Sequence, residues 1–146
     1  MKTFTLDEAQ ALLPVLEALL KRALDGKRSA DQVDSELSEL ARRIYLSGGM
    51  QVDMDKVIKQ RNEMEDYLQK ARENVAEINA IGAQVQDLEK GLLDFPYRLE
   101  DDIVLLCWCM GEPTIEHWHA AGTGSDERQP LDERFRRRSA PGNRPN

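Results

Sequence analysis

Residues 103–119, IVLLCWCMGEPTIEHWH, decide how the second half of the chain folds. An apolar run from Ile103 to Trp108 is followed by the turn sequence Gly111-Glu112-Pro113 and by a second short run that ends at His119. Short apolar runs separated by glycine and proline are typical of neighbouring β-strands. Antiparallel strands joined by this three-residue turn pair residues whose numbers sum to 224, so Cys107 is predicted to face His117.

This register places both cysteines and both histidines of the chain on one face of the predicted sheet. Thiolates and imidazoles are the ligands that zinc prefers, usually in tetrahedral geometry. The pattern therefore makes zinc a candidate cofactor, with Cys107, Cys109, His117 and His119 as its ligands. The alternative interpretation needs no cofactor, because cysteine also acts as a small buried apolar residue and histidine often hydrogen-bonds at a sheet edge.

The region before this hairpin predicts another strand and, before that, helices. Leu92 to Phe95 forms a further short apolar run, so a small antiparallel meander is expected over residues 83–121. Residues 5–81 show helical spacing instead. The sequence Thr5-Leu6-Asp7-Glu8 is a capping box that predicts a helix from Leu6. Pro14 predicts a kink or break in that helix, and Asp25-Gly26 predicts its end.

Two more helices are predicted before the sheet. One begins after Ser29 or Asp31 and stops at Ser47-Gly48-Gly49. The other covers residues 53–80 and stops at Gly82, and its apolar residues alternate at three- and four-residue steps with one polar interruption, Arg61. A stripe of this kind either packs within one chain or drives dimerisation, so self-association as a dimer and intramolecular packing stay open as alternatives.

These patterns predict an α+β fold, with N-terminal amphipathic helices, one of them long and coiled-coil-like, followed by a small antiparallel β-meander. One domain over residues 1–131 is expected, because a chain of 146 residues with 40% hydrophobic residues is sufficient for one core. Arginine and other polar residues dominate after it. Residues 132–146 are therefore predicted to form a disordered, Arg-rich tail.

The charge of the chain limits its partners. A net charge of -7 argues against nucleic acid as a ligand, apart from a weak contact by the Arg-rich tail. No apolar stretch approaches the length of a membrane span, and the N-terminus becomes polar before a signal peptide could form. Two cysteines one residue apart do not cross-link distant parts of a fold. A cytoplasmic protein without a membrane partner is expected.

The sequence leaves two function classes open. It contains no Gly-rich phosphate loop, no serine nucleophile elbow and no His-Glu-x-x-His motif, so enzymatic activity stays undecided. The first class is an interaction or structural protein that self-associates through its helices. The second is a metal- or small-ligand-binding protein, with an enzyme included, whose site lies near the last two strands. Regular helical periodicity over about 27 residues favours the first class.

Several short segments together resemble the uncharacterised bacterial family called domain of unknown function 2203. The resemblance extends to Leu131 and rests on Asp-Phe-Pro at 94–96, Leu-Cys-Trp at 106–108, Gly-Glu-Pro at 111–113 and Trp-His at 118–119. It implies no established reaction. In the family pattern Cys107 and His119 match, whereas position 109 is usually basic and position 117 is variable. The resemblance therefore implies a polar site that binds a small anion or a metal, formed by Asp94, Cys107, Glu112, His119 and Arg128.

Overall fold

A computed structural model of the chain describes residues 2–49 and 51–135 and has an α+β fold. Two long helices, α1 (Leu6–Leu46) and α2 (Met54–Ile81), come first. They are followed by five strands and a short 3-10 helix, η1: β1 (Gln84–Asp87), β2 (Leu92–Leu99), β3 (Asp102–Cys109), β4 (His117–Ala120), η1 (Ser125–Glu127) and β5 (Gln129–Pro130). The strands form one antiparallel sheet in the order β1-β2-β3-β4-β5. The predicted fold class is confirmed.

The described chain separates into two compact units, and both helices contribute to each of them. Residues 2–20 and 75–135 form the first, called here the sheet unit. Residues 21–49 and 51–74 form the second, called here the hairpin unit. Among the described helices, none is long and apolar enough to cross a membrane.

The core of the sheet unit lies between one face of the sheet and the helical residues of the same unit. Successive side chains of a strand point to opposite faces, so every second residue of β2 and β3 enters this core. Leu16 and Leu20 of α1 and Ile78 of α2 are fully buried against it. The register joins the buried residues of the two strands in three pairs: Leu93 with Trp108, Phe95 with Leu106, and Tyr97 with Val104.

The predicted capping box starts α1. The Glu8 amide donates to Thr5 Oγ1 at 3.1 Å, and the Thr5 amide donates to Glu8 Oε1 at 2.8 Å. Two amides at the helix start, which lack partners within the helix, are satisfied in this way. The helix begins at Leu6, as predicted.

The helix continues through Pro14 and Gly26, so the predicted end at Asp25-Gly26 and the separate second helix are wrong. Glycine within a helix costs only about 1 kcal/mol relative to alanine. At Gly26 the missing side chain allows α2 to approach closely, because a Cβ there would lie 3.0 Å from the Tyr67 carbonyl oxygen and 3.4 Å from Ala71 Cβ. At Pro14 the buried neighbours Leu13 and Leu16 keep the segment on the core. Packing therefore outweighs the two local helix-breaking signals.

The hairpin unit consists of antiparallel segments of α1 and α2. Gly26 lies against Tyr67 and Ala71, and farther along α1 the Gln60 amide donates to Glu36 Oε2 at 3.4 Å. α1 stops before Ser47, as predicted, and α2 starts at Met54, one residue after the predicted start at Asp53. The apolar stripe of both helices is only partly buried over much of its length, at Leu37, Leu40, Ile44, Val57, Met64 and Leu68.

The described residues after Leu131 belong to the sheet unit. Phe135 is fully buried, its ring lies 5.4 Å from that of Trp118, and its carbonyl accepts a hydrogen bond from Tyr97 Oη at 3.4 Å. Phe135 thus fills part of the core of the sheet unit. Residues 136–146, which hold the rest of the predicted Arg-rich tail, lie outside the described residues.

Candidate metal centre

The sheet face opposite the core, called here the polar face, carries the candidate site. Asp94 of β2 faces Cys107 of β3, and Cys107 faces His117 of β4, which is the register predicted from the sequence. His119 follows two residues later and shares the polar face because side chains alternate along a strand. Three neighbouring strands thus bring acidic, thiol and imidazole groups together.

The closest of these groups are Asp94, Cys107 and His119, called here the triad. One potential ligand atom from each residue lies within 4.8 Å of the other two. Their exposed fractions are 2%, 0% and 1%, so all three are cut off from solvent. A buried carboxylate and a buried imidazole are costly unless each is paired. The triad is therefore a site at which the fold concentrates polar groups within its interior.

The hydrogen bonds of His119 define its protonation. Its Nδ1 lies 2.9 Å from the Ala120 carbonyl oxygen, which only accepts, so Nδ1 carries a proton. Its Nε2 lies 3.1 Å from Asp94 Oδ2. A carboxylate oxygen and an unprotonated Nε2 would both present lone pairs, so at this distance one of the two atoms carries a proton that it donates to the other.

Burial changes the acidity of the other two groups. It raises the pKa of Asp94, although the neighbouring His119 opposes this shift. Burial, together with the negative charge of Asp94, raises the pKa of the Cys107 thiol from 9.0 to about 11. Asp94 Oδ1 is buried and makes no hydrogen bond of ordinary geometry. The triad thus has an unused acceptor and a thiol that stays protonated at neutral pH.

An arginine and a glutamate border the triad. Arg128, which directly precedes β5, donates to Glu112 through two nitrogens, with distances of 3.3 Å to Oε1 and 2.9 Å to Oε2. Its Nη1 also lies 4.0 Å from Cys107 Sγ. Burial opposes the ionisation of Glu112, but the bonds from Arg128 and from the Cys109 amide outweigh it and lower the Glu112 pKa. The pair is therefore ionised, with its positive end towards the thiol.

The set Cys107, Cys109, His117 and His119 that the residue types predicted as zinc ligands does not assemble. The Cys109 thiol donates to the Lys90 carbonyl at 3.4 Å. The His117 Nδ1 lies 3.6 Å from Glu112 Oε2 and has no hydrogen-bond partner. Cys109 and His117 are thus directed at other groups, and neither belongs to the cluster of ligand atoms within 4.8 Å of one another. Asp94 of the neighbouring strand approaches instead.

The five residues implied by the family resemblance do come together. From the interior outwards, His119 contacts Asp94, and Asp94 lies beside Cys107. Cys107 contacts Arg128, which binds Glu112. The partner that residue patterns alone missed is Asp94. It lies opposite Cys107 because only two residues, Glu100 and Asp101, connect β2 to β3. Glu100 adopts a φ of 56°, which is unusual for glutamate, so the sequence gives little sign of this tight turn.

The connection between β4 and β5 extends far across the sheet unit. A Cβ at Gly124 of this connection would lie 3.8 Å from Gln86 Nε2 of β1, at the other end of the sheet order. Arg128, at its end, contacts the triad. The connection thus reaches from the strand of His119 towards the opposite sheet edge.

This arrangement does not match nucleophilic cysteine catalysis. A catalytic cysteine needs a base that takes its proton, or a lowered pKa. Both nitrogens of His119 already have oxygen partners, and the Cys107 pKa is raised. The three donor types, one sulfur, one nitrogen and one oxygen, instead match those of zinc sites in proteins.

The comparisons with known proteins identify a family and no relative of known activity. No curated protein and no solved structure matches the chain. The family model that matches is described as an uncharacterised conserved protein, domain of unknown function 2203, and it covers residues 2–131. Because this match includes most of the 146 residues, the chain belongs to the family called domain of unknown function 2203.

Proposed function

We propose that this protein binds one divalent transition metal ion, zinc in the first place, through Asp94, Cys107 and His119. The observation that carries the proposal is the approach of three buried potential ligand atoms to within 4.8 Å of one another. Ligands around a tetrahedral zinc ion are roughly 3.3–3.8 Å apart, given metal-ligand distances of about 2.0–2.3 Å. Small side-chain movements would therefore close the site around an ion.

The surroundings of His119 support this proposal. A metal-binding histidine usually donates its other ring N–H to a carbonyl or carboxylate, which fixes the tautomer and orients the ring. The bond from Nδ1 to the Ala120 carbonyl at 2.9 Å has this form and leaves Nε2 directed at Asp94. Asp94 Oδ1, which has no hydrogen-bond partner, is a further acceptor for an ion.

Charge balance supports it as well. Without a metal, Asp94 and His119 share one proton between Oδ2 and Nε2, and Cys107 is a neutral thiol, so the charges of the three groups sum to zero. With a divalent ion, the carboxylate, the thiolate and a neutral imidazole again sum to zero, and two protons leave. A buried site tolerates this exchange because its net charge does not change. A reducing cytosol suits the site, because Cys107 must remain a free thiol.

The first experiment is elemental analysis of the protein purified without a metal-binding tag and equilibrated with Zn²⁺. We expect about one zinc ion per chain in the wild type and its loss in Cys107→Ser and His119→Asn. Cys109→Ser and His117→Asn are matched controls, because they change the same residue types two positions away on the same strands. Both controls should retain the ion.

Two results would overturn the metal proposal. One is a folded wild type that retains no zinc, cobalt or other transition metal after equilibration and desalting. The other is loss of zinc in the two control variants to the same extent as in the triad variants, because this would point to weak binding by any thiol or imidazole of the chain.

A second candidate function, self-association through the hairpin unit, is supported by the exposed residues of that unit. Tyr45, Leu46, Met54 and Ile58 are exposed by 84%, 66%, 59% and 52%, and they lie around the junction of the two helices. The partly buried stripe leads towards them. Two helices alone do not cover such a stripe, whereas a four-helix bundle does. The occupant we propose is the hairpin unit of a second copy.

The charges of α1 favour an identical partner. Residues 31–39 contain four acidic side chains and no basic one, whereas residues 21–28 contain four basic side chains and one acidic one. Two antiparallel copies, staggered along α1, would bring the acidic segment of each beside the basic segment of the other. Opposite charges placed in this way select the register of the partners.

Size-exclusion chromatography with light scattering, which measures the molar mass of the protein in solution, tests this second function. We expect a dimer for the wild type and a monomer for the double variant Tyr45→Ser/Ile58→Ser. Val15→Ser is the matched control, because Val15 is 54% exposed but belongs to the sheet unit. A wild type that stays monomeric at the highest soluble concentration would overturn the proposal, and so would a double variant that remains dimeric.

A further inference from the structure

We infer that Arg128 is a positioning residue that stabilises the metal-bound thiolate of Cys107, and that Glu112 holds Arg128 in place. This inference rests on the proposed metal site. It assigns a role to two residues that bind no ion themselves. The geometry that carries it is the contact of 4.0 Å between Arg128 Nη1 and Cys107 Sγ.

Glu112 is fixed to the strand that carries Cys107. Its Oε1 accepts a hydrogen bond from the Cys109 amide at 2.7 Å. Its backbone carbonyl accepts one from Trp108 Nε1 at 2.9 Å, and Trp108 is part of the core. Side chain and backbone of Glu112 are thus both held by residues next to Cys107.

Glu112 in turn holds Arg128 in place through two parallel hydrogen bonds. A guanidinium that binds both oxygens of one carboxylate has little rotational freedom left, and a lysine does not reproduce this geometry. Both side chains are about three-quarters buried, with exposed fractions of 26% for Arg128 and 22% for Glu112. The ion pair is therefore better defined than an ordinary surface pair.

Towards Cys107, as distinct from Glu112, the charge of Arg128 is stabilising only when the sulfur is a thiolate. A neutral thiol is a weak acceptor, whereas metal binding leaves a negative sulfur in an interior of low dielectric constant. A guanidinium nearby stabilises that charge, and an N–H donated to sulfur draws electron density from it. Such partners of metal ligands typically change metal affinity by about 10- to 100-fold.

Cobalt provides the test, because Co²⁺ replaces Zn²⁺ in sites of this type and its bond to a thiolate gives a charge-transfer absorption band. We expect Arg128→Gln to bind Co²⁺ about 10- to 100-fold more weakly than the wild type. The band should also move to longer wavelength, because the sulfur loses a hydrogen-bond donor and its lone pair rises in energy. A variant that merely loosened the fold would weaken binding without this shift.

Two further variants keep the test sharp. Arg128→Lys retains the charge but loses the paired bonds, so its affinity should fall between those of wild type and Arg128→Gln, even if Arg128→Gln folds poorly. Arg134→Gln is the matched control, because Arg134 forms a similar double contact with Asp132 in the same unit and contacts Trp118 instead of the triad. It should leave affinity and band unchanged.

The outcomes separate this inference from the proposed function. If the wild type shows no thiolate band with Co²⁺, both fail. If the wild type binds Co²⁺ and Arg128→Gln and Arg128→Lys match it in affinity and band position, the metal site stands and the role of Arg128 is overturned. Weaker binding with an unshifted band in both variants also overturns it, since Arg128 would then act on the fold alone.

Discussion

The sheet unit and the hairpin unit bury their apolar residues to different extents. Eighteen buried residues form the core of the sheet unit, and they include aromatic residues and large aliphatic ones. The buried apolar residues of the hairpin unit are Ala23, Leu24, Ala30, Val33 and Ala71, three of which are alanines. Small residues and Gly26 let two helices approach, but they remove little apolar area from water.

This difference shows that a regular apolar pattern in the sequence does not by itself form a hydrophobic core. The helical periodicity of α2 is the longest regular pattern in the sequence, yet its residues within the hairpin unit remain largely exposed or half-buried. The sheet unit has shorter patterns, but its strands and helical segments supply two surfaces that cover each other. Stability should therefore reside mainly in the sheet unit.

The largest expected effect tests this difference with the same substitution in each unit. Leu106→Ala removes a fully buried side chain of the sheet unit and should lower the free energy of unfolding by about 2–5 kcal/mol. Leu68→Ala removes a partly exposed one of the hairpin unit and should cost about 1 kcal/mol. Both are measured by urea denaturation, with fluorescence of Trp108 and Trp118 as the probe for the sheet unit. Equal costs would contradict the comparison.

The second prediction concerns pH, to which the sheet unit should respond through its buried thiol. Folding raises the Cys107 pKa from 9.0 to about 11, so its stabilising effect is complete below pH 9 and is lost as the pH rises through 11. The loss should reach about 3 kcal/mol. Unfolding is measured at both ends of this range with a chelator present.

Cys107→Ser is the reference for this measurement, because lysines and tyrosines titrate equally in both proteins. The wild type should lose more stability than the variant. In the hairpin unit, by contrast, the ion pair of Glu39 and Arg42 is exposed, so Arg42→Gln should not alter the pH response. Parallel pH curves for wild type and Cys107→Ser would show that burial of the thiol has no influence on stability.

The third prediction concerns the helix contact in the hairpin unit. Gly26→Leu places a large side chain where even a Cβ would lie 3.0 Å from a backbone oxygen, so stability should fall by about 1–3 kcal/mol. Ser38→Leu, at an exposed position of the same helix, should change stability by less than about 0.5 kcal/mol. Helix content at 222 nm follows this unit. Similar effects of both variants would rule out a close contact at Gly26.

Predictions of the fold from the sequence are correct where local signals and packing favour the same structure. They are wrong where packing overrides a local signal. The capping box, the glycine stops and the α+β order depend on residues close in the chain, and they were predicted correctly. Gly26 carries a local signal for a helix end, but a partner helix far away in sequence reverses it. Such a contact leaves no trace in the residues around position 26.

The candidate site was predictable to the extent that strand register was predictable. Glycine and proline mark the turn at Gly111 to Pro113 in the sequence. Once the turn is placed, the residue numbers on either side of it give the pairing of Cys107 with His117. The turn at Glu100-Asp101 contains neither, so residue patterns did not place Asp94 beside Cys107. The direction of the side chains then determines which histidine lies beside Asp94 and Cys107. It is His119, although His117 is the residue directly opposite Cys107.

The smallest expected effect compares the helix caps of the two units. Thr5 and Glu8 exchange two hydrogen bonds of 3.1 and 2.8 Å at the start of α1 in the sheet unit. Before α2 in the hairpin unit, Asp53 Oδ1 accepts one bond from the Lys56 amide at 3.3 Å. Thr5→Ala should therefore cost about 1 kcal/mol and Asp53→Ala about 0.5 kcal/mol.

The two costs should differ in this order because the start of α1 is held by buried side chains, whereas the start of α2 is exposed. Leu6 and Ala9 are buried in the core just after Thr5, so losing the cap leaves amides unsatisfied on a helix that cannot fray freely. Met54 and Ile58, just after Asp53, are exposed, so that end can unwind into water at little cost. Urea denaturation of both variants would contradict this difference if Asp53→Ala proved the more destabilising.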